Sequence, residues 1–457
     1  MHIELIALQP KRSSERLFKL LRRTHYTDEI ESAKGGKVVL AGWIHDIKDL
    51  ARARFIWLRD NHGVAQITII KANATPEILE TSGNLGREDV ITAEGTPVKE
   101  RIAKVGSEIT PTKIELVAKA QAAVPLDVSG KIESNLDVRL DWRVIDLRRQ
   151  ENLAIFQIQS KLVEGMVEYL NRNGYLQVFT PCLLGGTSEG GSEVFKLDYF
   201  GKEAFLRQDP QLHRQLCIAA GFDKIYDLGP NWRAELSHTP RHLCEHRGMA
   251  VEFGFMNDEA DMMRVEEEVV VAAMRKVKEE CARELELLQV QVEIPRTPFP
   301  EMRFPEIYDI LEGLGKKIPY GSDIDKEGET LLCKHVREKH KADAFFINRY
   351  PFKVKPFYVM RVDEDPEWTR GVDLLYRDIE QSSGGQREHR YEKLMRQLNE
   401  KNVNAEPMKW FTDAFKFGVP PHGGFCLGIE RFTMALLKKE NVRETTLFPR
   451  TPERLLP

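Results

Sequence analysis

The chain has 457 residues, 42% hydrophobic and 30% charged, enough for two or three domains with sizeable cores. A formal net charge of −4 gives no global attraction to nucleic acid, so a polyanion has to be met by local basic patches. No apolar run reaches the roughly 18 residues of a membrane span, and the N-terminus lacks the apolar core of a signal peptide. Cys182, Cys217, Cys244, Cys281, Cys333 and Cys426 include no C-x-x-C pair, which argues against a structural zinc site and a disulfide scaffold. A reducing cytoplasm is the expected location. The P-loop pattern is absent, so a nucleotide has to be held by another architecture.

Residues 1–35 form an extension in which Lys11, Arg12, Arg16, Lys19, Arg22 and Arg23 surround Leu17, Phe18, Leu20 and Leu21. It reads either as a short basic amphipathic helix touching RNA or as a solvated terminus. Over 36–122, five short β-rich segments (KVVLAGWIHDI, RFIWLRD, VAQITII, DVITAEGTPV and KIELVAKA) are separated by turns. Five strands in so short a span predict a small barrel of the OB type, which binds single-stranded nucleic acid by stacking bases on aromatics. Phe55 and Trp57 share one strand face, and Trp57 is assigned to the barrel core. Residues 123–150 are turn-rich and then arginine-heavy, as in a hinge. The remainder, 151–457, opens on a long helix that stops at Gly174 and a strand ending at Pro181. It also contains a strongly amphipathic helix over 258–288, read as scaffold.

Three later segments carry chemistry. Gly229–Met256 reads as two strands joined by a loop, with Arg233 and Glu235 on one face of the first strand. Arginine forks match phosphate oxygens and stay charged, so this pair, with Arg241 and His242 in the loop, suits a triphosphate clamped on a sheet. Asp373–Arg390 carries Glu380 and Ser383, then Gly384–Gly385 and Arg387. A carboxylate plus a hydroxyl can hold Mg²⁺ on ATP phosphates, the glycines let a substrate approach the backbone, and Arg387 can pair with a substrate carboxylate. Alone, this stretch reads equally as a surface turn with solvated charges. Pro420–Arg431, PPHGGFCLGIER, is a Gly-rich strand entering a helix at Glu430–Arg431, where an arginine can lie over adenine or reach a phosphate.

In this order the segments resemble the signature motifs of class II aminoacyl-tRNA synthetases. The helix and strand ending at Pro181 match motif 1, Trp232–Glu235 motif 2, and Gly424–Arg431 motif 3. The front barrel with TSEGGSEVF (187–195), QDPQLHRQ (208–215) and IEQSSGGQREHR (379–390) resembles the aspartyl branch in its archaeal and eukaryotic form. The resemblance implies an α+β fold: an antiparallel class II catalytic sheet with flanking helices, preceded by an N-terminal OB-type barrel. It implies a homodimer built through motif 1. The implied reaction joins aspartate to ATP as aspartyl-adenylate, then passes the aspartyl group to tRNA(Asp), with ATP and Mg²⁺ required. Use of tRNA(Asn) stays open, since His45 matches the relaxed type and Lys104 the strict one.

The resemblance also implies residue roles. Arg233 stabilises the α-phosphate and forms the catalytic pair with Arg431. Glu235 and Glu245 line the adenine and tRNA-acceptor side. Arg241, His242 and Arg431 take the γ-phosphate and adenine, and His246 lies under the adenine. Glu380 and Ser383 bind Mg²⁺. Gln211 orients the amino acid, Glu189 sits in a loop that closes over it, and Arg214 and Arg387 meet its side-chain carboxylate. In the barrel, Phe55 and Gln66 stack on and read the anticodon, with His45 and Lys48 beside them.

The chain departs from the family pattern at several pocket positions. Asp209 and Arg214 stand where the family has serine and lysine, Ala250 replaces an aspartate, His246 a phenylalanine, and Ala51–Arg52 a Gly-Gly turn. One expectation follows: the carboxylate for the substrate's α-ammonium has moved from position 250 to Asp209. The competing functions are activation of another acid or amide, asparagine being the nearest, and a non-acylating RNA-binding or regulatory role. A positive charge at Arg214 disfavours asparagine. Retention of Arg233, Glu380, Ser383, Arg387 and Arg431 disfavours the second.

Overall fold

Alternating apolar residues build the front of the chain into β1 (Val38–Asp49), β2 (Ala53–Arg59), β3 (Val64–Ile70), β4 (Val90–Pro97) and β5 (Glu108–Ala118). They close into a barrel in the order β1-β2-β3-β5-β4. The structure is a computed structural model that describes residues 21–33, 36–98, 106–186, 193–236 and 239–457. Helix α1 (Pro76–Gly83) starts at Thr75, whose hydroxyl accepts from the Ile78 N–H, and Ile78 joins the barrel core. Inside lie Leu40, Ile44, Ile56, Leu58, Ile67 and Ile91. Since Ile56 and Leu58 point in, Phe55 and Trp57 point out. This corrects the assignment of Trp57 to the core: it is half-buried on the outer face, its ring 6.4 Å from that of Phe55. Of the N-terminal extension, residues 1–20 and 34–35 lie outside the described residues. Its described part has no amphipathic helix, only the single turn Ile30–Ala33.

The chain divides into two units. One holds the barrel and residues 144–150; the other comprises 136–143 and 151–457. In the second unit the strands β6 (Leu176–Gln177), β7 (Leu183–Leu184), β8 (Lys196–Tyr199), β9 (Lys202–Leu206), β10 (Lys224–Trp232), β11 (Glu245–Gly254), β12 (Glu301–Arg303), β13 (Ala344–Asn348), β14 (Gly371–Tyr376), β15 (Ile379–Arg387) and β16 (His422–Gly428) form two sheets. The larger runs β12-β13-β14-β15-β16-β11-β10-β6, and the smaller β7-β9-β8. From β13 to β10 every pairing is antiparallel, while β12 and β6 add parallel edges.

Helices α2 (Gln150–Arg172) and α4 (Glu259–Glu280) cover one face of the large sheet, with α3 (Gln211–Ala219), α5 (Lys326–His340) and α6 (Ile429–Leu436) elsewhere in this unit. Ile158, Leu162, Met166 and Leu170 recur at helical spacing on α2 and pack with Met262, Val269 and Met274 of α4 against Met249, Val251 and Phe425 of the sheet. A Cβ on Gly165 would lie 2.9 Å from the Ala273 Cα, so the two helices approach only because that position is glycine. Asp258 caps α4 by accepting from the Ala260 N–H. Because Met249, Val251 and Phe253 face the helices, Ala250 and Glu252 face the opposite side, where the cavity opens. No helix among the described residues is long and apolar enough to cross a membrane.

One buried acid on the helix-covered side makes a stability prediction. Glu266 of α4 is 1% exposed and bonds the Ser382 hydroxyl, and burial pushes its carboxyl up to about 8. Between the ordinary value of 4.5 and about 8 the unfolded chain releases a proton that the folded chain keeps, so this group costs stability as pH rises. Glu266→Gln is therefore expected to stabilise the fold at pH 8 by on the order of a few kcal/mol more than at pH 5. Denaturant midpoints at the two pH values measure this, and an equal change at both would mean that Glu266 is ionised in the fold.

Candidate active site

Pairing register sets the open face of the sheet. Asp227, Ala250, Cys426, Ser383 and Asp373 lie opposite one another across β10, β11, β16, β15 and β14, and so share one face. Glu252 follows Ala250 by two residues and Arg387 follows Ser383 by four, which keeps both on that face. Glu380 and Ser383 are three apart, a spacing that a regular strand would put on opposite faces. A β-bulge resolves this: Leu374 opposes Ser382 and Leu375 opposes Glu380, so Gln381 is extra and both side chains reach the same side. Packing also demands glycine at Gly384, whose backbone lines the cavity: a Cβ there would lie 2.8 Å from the Phe425 Cβ and 2.9 Å from the Met262 Sδ.

Over this face lies a cavity of about 450 Å³, within the range of small-molecule pockets. Of the residues singled out in the sequence, Asp209, Gln211, Arg233, Arg241, His242, His246, Glu380, Ser383, Arg387 and Arg431 line it. Strand β10 ends at Trp232, so Arg233 and Glu235 stand in the loop beyond it, not on the strand as expected. Pairing persists only as far as the bond from the Arg233 N–H to the Cys244 carbonyl, 3.0 Å. Glu235 is off the cavity wall, 3.3 Å from Arg233 and 3.7 Å from the His242 Nε2. Glu245, also off the wall, accepts from the Trp232 indole at 3.1 Å and from Arg247 at 2.9 Å. Arg214 is fully buried behind the wall. Glu189 and Lys104 lie outside the described residues.

Arginines are paired with carboxylates throughout the cavity. At one end Arg387 is 3% exposed and donates to Glu252 at 3.0 Å, to Gln211 at 3.0 Å and to the Gly424 carbonyl at 2.8 Å. Asp209 takes the Arg214 fork through both oxygens, 2.7 and 2.8 Å. Burial pushes the Asp209 carboxyl up, but the guanidiniums of Arg214, Arg387 and Arg233 carry it below the usual carboxylate range. The same pairing outweighs burial for Arg214 and raises it further. At the other end, burial and then the Arg233 and Arg431 guanidiniums push His246 down to about 3, so it faces the cavity as a neutral ring near pH 7. Burial also lowers His242. Arg431 donates to the Glu380 carbonyl at 3.1 Å and lies 3.8 Å from its carboxylate. Arg241 pairs with Glu329 at 3.3 Å.

Among the lining residues given no role in the sequence reading are four charged ones: Asp323, Glu329, Lys355 and Asp373. Lys355 bridges Asp373 (2.7 and 2.8 Å) and the Ser383 hydroxyl (3.3 Å). Burial, then the Asp373 carboxylate, raises Glu380. Asp373 did have a local signal, a lone acid inside the apolar strand GVDLLY. Asp323, Glu329 and Lys355 arrive from distant loop and helix positions with no such mark.

On the barrel, Lys48, Phe55, Trp57 and Gln66 share the outer face. Lys48 is exposed and Phe55 half-buried. Gln66 is 4% exposed, and its amide donates to Thr68 at 2.9 Å, which in turn donates to Glu108 at 2.5 Å. His45 sits at the bulge of β1, with its Nδ1 3.1 Å from the Arg59 guanidinium; burial and then that charge lower it. Lys48 and Phe55 thus face solvent, whereas Gln66 and His45 are already tied to neighbours.

The open face of one antiparallel sheet thus carries a neutral imidazole beside Arg233 and Arg431 and, further along its strands, the buried Arg387, which is the layout that the resemblance to class II synthetases predicts. The family model for tRNA synthetases class II (D, K and N) matches residues 135–452, and that for the OB-fold nucleic acid binding domain matches 38–118; the chain belongs to the class II tRNA synthetases. The aspartate–tRNA(Asp) ligase of Pyrococcus furiosus is 44% identical over 436 residues, 95% of this chain and 100% of the relative. The aspartate–tRNA(Asp/Asn) ligase of Methanopyrus kandleri is 40% identical over 438 residues, 96% of this chain and 100% of the relative. Among solved structures, asparaginyl-tRNA synthetase from Pyrococcus horikoshii complexed with asparaginyl-adenylate aligns with a TM-score of 0.88 at 31% identity, covering 96% of this chain and 100% of that one. Aspartyl tRNA synthetase from Entamoeba histolytica aligns with a TM-score of 0.85 at 26% identity, covering 100% and 98%.

Proposed function

We propose that the chain is an aspartate–tRNA ligase. The observation that carries this is the buried Arg387, a guanidinium on the cavity wall opposite His422 at the start of β16, whereas Arg431 follows the far end of that strand, so that an acidic side chain would dock against it. An α-carboxylate oxygen of aspartate attacks the α-phosphorus of ATP. The new O–P bond forms as the bond to the bridging oxygen breaks, and pyrophosphate leaves. The terminal ribose hydroxyl of tRNA(Asp) then attacks the adenylate's carbonyl carbon and AMP departs. Arg233 neutralises charge growing on the α-phosphate, while Arg241, His242 and Arg431 hold the remaining phosphates and the adenine against His246. Glu235 and Glu245 act from the loop and strand beside that site.

Glu380 and Ser383, joined by Asp373, would hold Mg²⁺. Two carboxylates and a hydroxyl suit a hard cation, which would displace the Lys355 ammonium from Asp373 and Ser383, and a carboxyl raised by burial and then by the Asp373 charge gains when a cation arrives. Bound there, the ion supplies charge neutralisation on the phosphates. A second copy of the chain is the proposed partner for the exposed Leu176, Phe179 and Leu183.

Exchange of labelled pyrophosphate into ATP, run with each standard amino acid and no tRNA, tests the reading. Exchange with aspartate is expected; exchange with asparagine instead, or with none, refutes it. Transfer to tRNA(Asp) and tRNA(Asn) transcripts then reads the tRNA range. For the barrel, Phe55→Ala is expected to raise KM for tRNA(Asp) by roughly tenfold or more, through loss of one stacked base. The tRNA-independent exchange reaction is the internal control, and an unchanged tRNA KM would remove Phe55 from the anticodon site.

A further inference from the structure

Asp209 and Arg214 stand together where the cavity wall meets the protein interior. Arg214 has no exposed surface, whereas Asp209 lines the cavity. Arg214 spends its fork on the two Asp209 oxygens, at 2.7 and 2.8 Å, and its Nη2 also donates to the Gln211 Oε1 at 2.6 Å. Arg387 donates to that same Gln211 oxygen at 3.0 Å. The Gln211 amide nitrogen donates to Glu252 at 3.0 Å, which leaves Gln211 a single orientation. A substrate carboxylate therefore meets Asp209, a like charge, before it can reach Arg214.

We propose that Asp209 and Arg214 are a positioning pair for amino-acid selection. Asp209 holds Arg214 as a neutral buried unit, Arg214 and Glu252 set Gln211, and Gln211 fixes Arg387, so that Arg387 alone of the two arginines touches the substrate's side-chain carboxylate. This rests on the aspartate reading and changes one part of it: Arg214, expected from the family pattern to meet the substrate, acts instead through its neighbours. The physical basis is charge balance. Arg214 and Arg387 stand against Asp209 and Glu252, with the Arg214 Nε 3.9 Å from Glu252, so removing one of Asp209 and Arg214 unbalances this set, whereas removing both leaves Glu252 paired with Arg387.

The test is a double-mutant cycle of Asp209→Asn, Arg214→Gln and the pair, with KM and kcat measured for aspartate and for ATP in pyrophosphate exchange. Each single change is expected to raise the aspartate KM by roughly a hundredfold and to move the ATP KM only a few-fold. The double variant is expected to return to within about tenfold of the wild type and still to reject asparagine. If Arg214 touches the substrate, the double variant will be no better than Arg214→Gln, and the proposal falls. Should the variants fail to fold by circular dichroism, a crystal structure of the wild type with aspartate and a non-reactive ATP analogue decides. Arg214 still forked on Asp209, with no nitrogen in hydrogen-bond reach of the ligand, supports the pair; a contact to aspartate overturns it. The wild-type exchange assay separates the two readings. Loss of aspartate dependence there defeats the function, while recovery in the double variant, measured with whichever amino acid the wild type accepts, reports on the pair alone.

Discussion

Replacing Arg233 by glutamine is expected to slow aspartate-dependent pyrophosphate exchange by about a hundred- to a thousandfold, in kcat more than in KM. Its guanidinium reaches the cavity from the loop after β10 and is close enough to lower His246 and Asp209 by its charge. It therefore stands near both His246 and Asp209, and on the proposed reading the α-phosphorus lies between them. Interactions that strengthen only as charge develops appear in kcat, which is why the ground-state affinity for ATP should change less. Arg233→Lys keeps the charge without the planar fork and should fall between the two. Steady-state exchange with both substrates varied measures this. A kcat within tenfold of wild type for Arg233→Gln would move the α-phosphate away from this residue.

Arg387→Gln is expected to raise the aspartate KM by roughly a thousandfold, with the ATP KM within a few-fold of wild type. Two losses combine. On the proposed reading the substrate carboxylate loses its cationic partner, and Glu252, wholly buried, loses the guanidinium that sits 3.0 Å away. A lysine should rescue little, because one ammonium cannot serve Gln211, Glu252 and the Gly424 carbonyl in the fixed geometry of the fork. Circular dichroism confirms folding before the kinetics are read. If the ATP and aspartate KM values rise together, the change has collapsed the cavity, and the assignment of Arg387 to the aspartate side chain fails.

Much of the site was legible because its residues are clustered in sequence. The strand-to-helix step at Gly428–Ile429 puts Arg431 in the first turn of α6, as the Gly-rich run before it implies. The barrel strands followed from alternation, and only the inward phase was misjudged at Trp57, where a one-residue shift exchanges core for surface. The loop position of Arg233 and Glu235 was not legible, since the residues around them alternate as a strand would and the pairing ends only where the Ala234 and Cys244 N–H groups turn to the Glu193 and Arg450 carbonyls.

The class of sheet, the barrel, the family and most of the charged groups that line the cavity can be read from the residues in order. These depend on local periodicity and on short motifs, which are written in consecutive residues. The tertiary structure alone decided how those charges are shared. The bulge at Gln381 puts Glu380 and Ser383 on one face, Lys355 crosses from a distant loop to Asp373 and Ser383, and Asp209 closes on Arg214 in the interior. The reason is physical: a buried charge takes its state from the neighbours that folding brings to it, and spacing along the chain does not specify them.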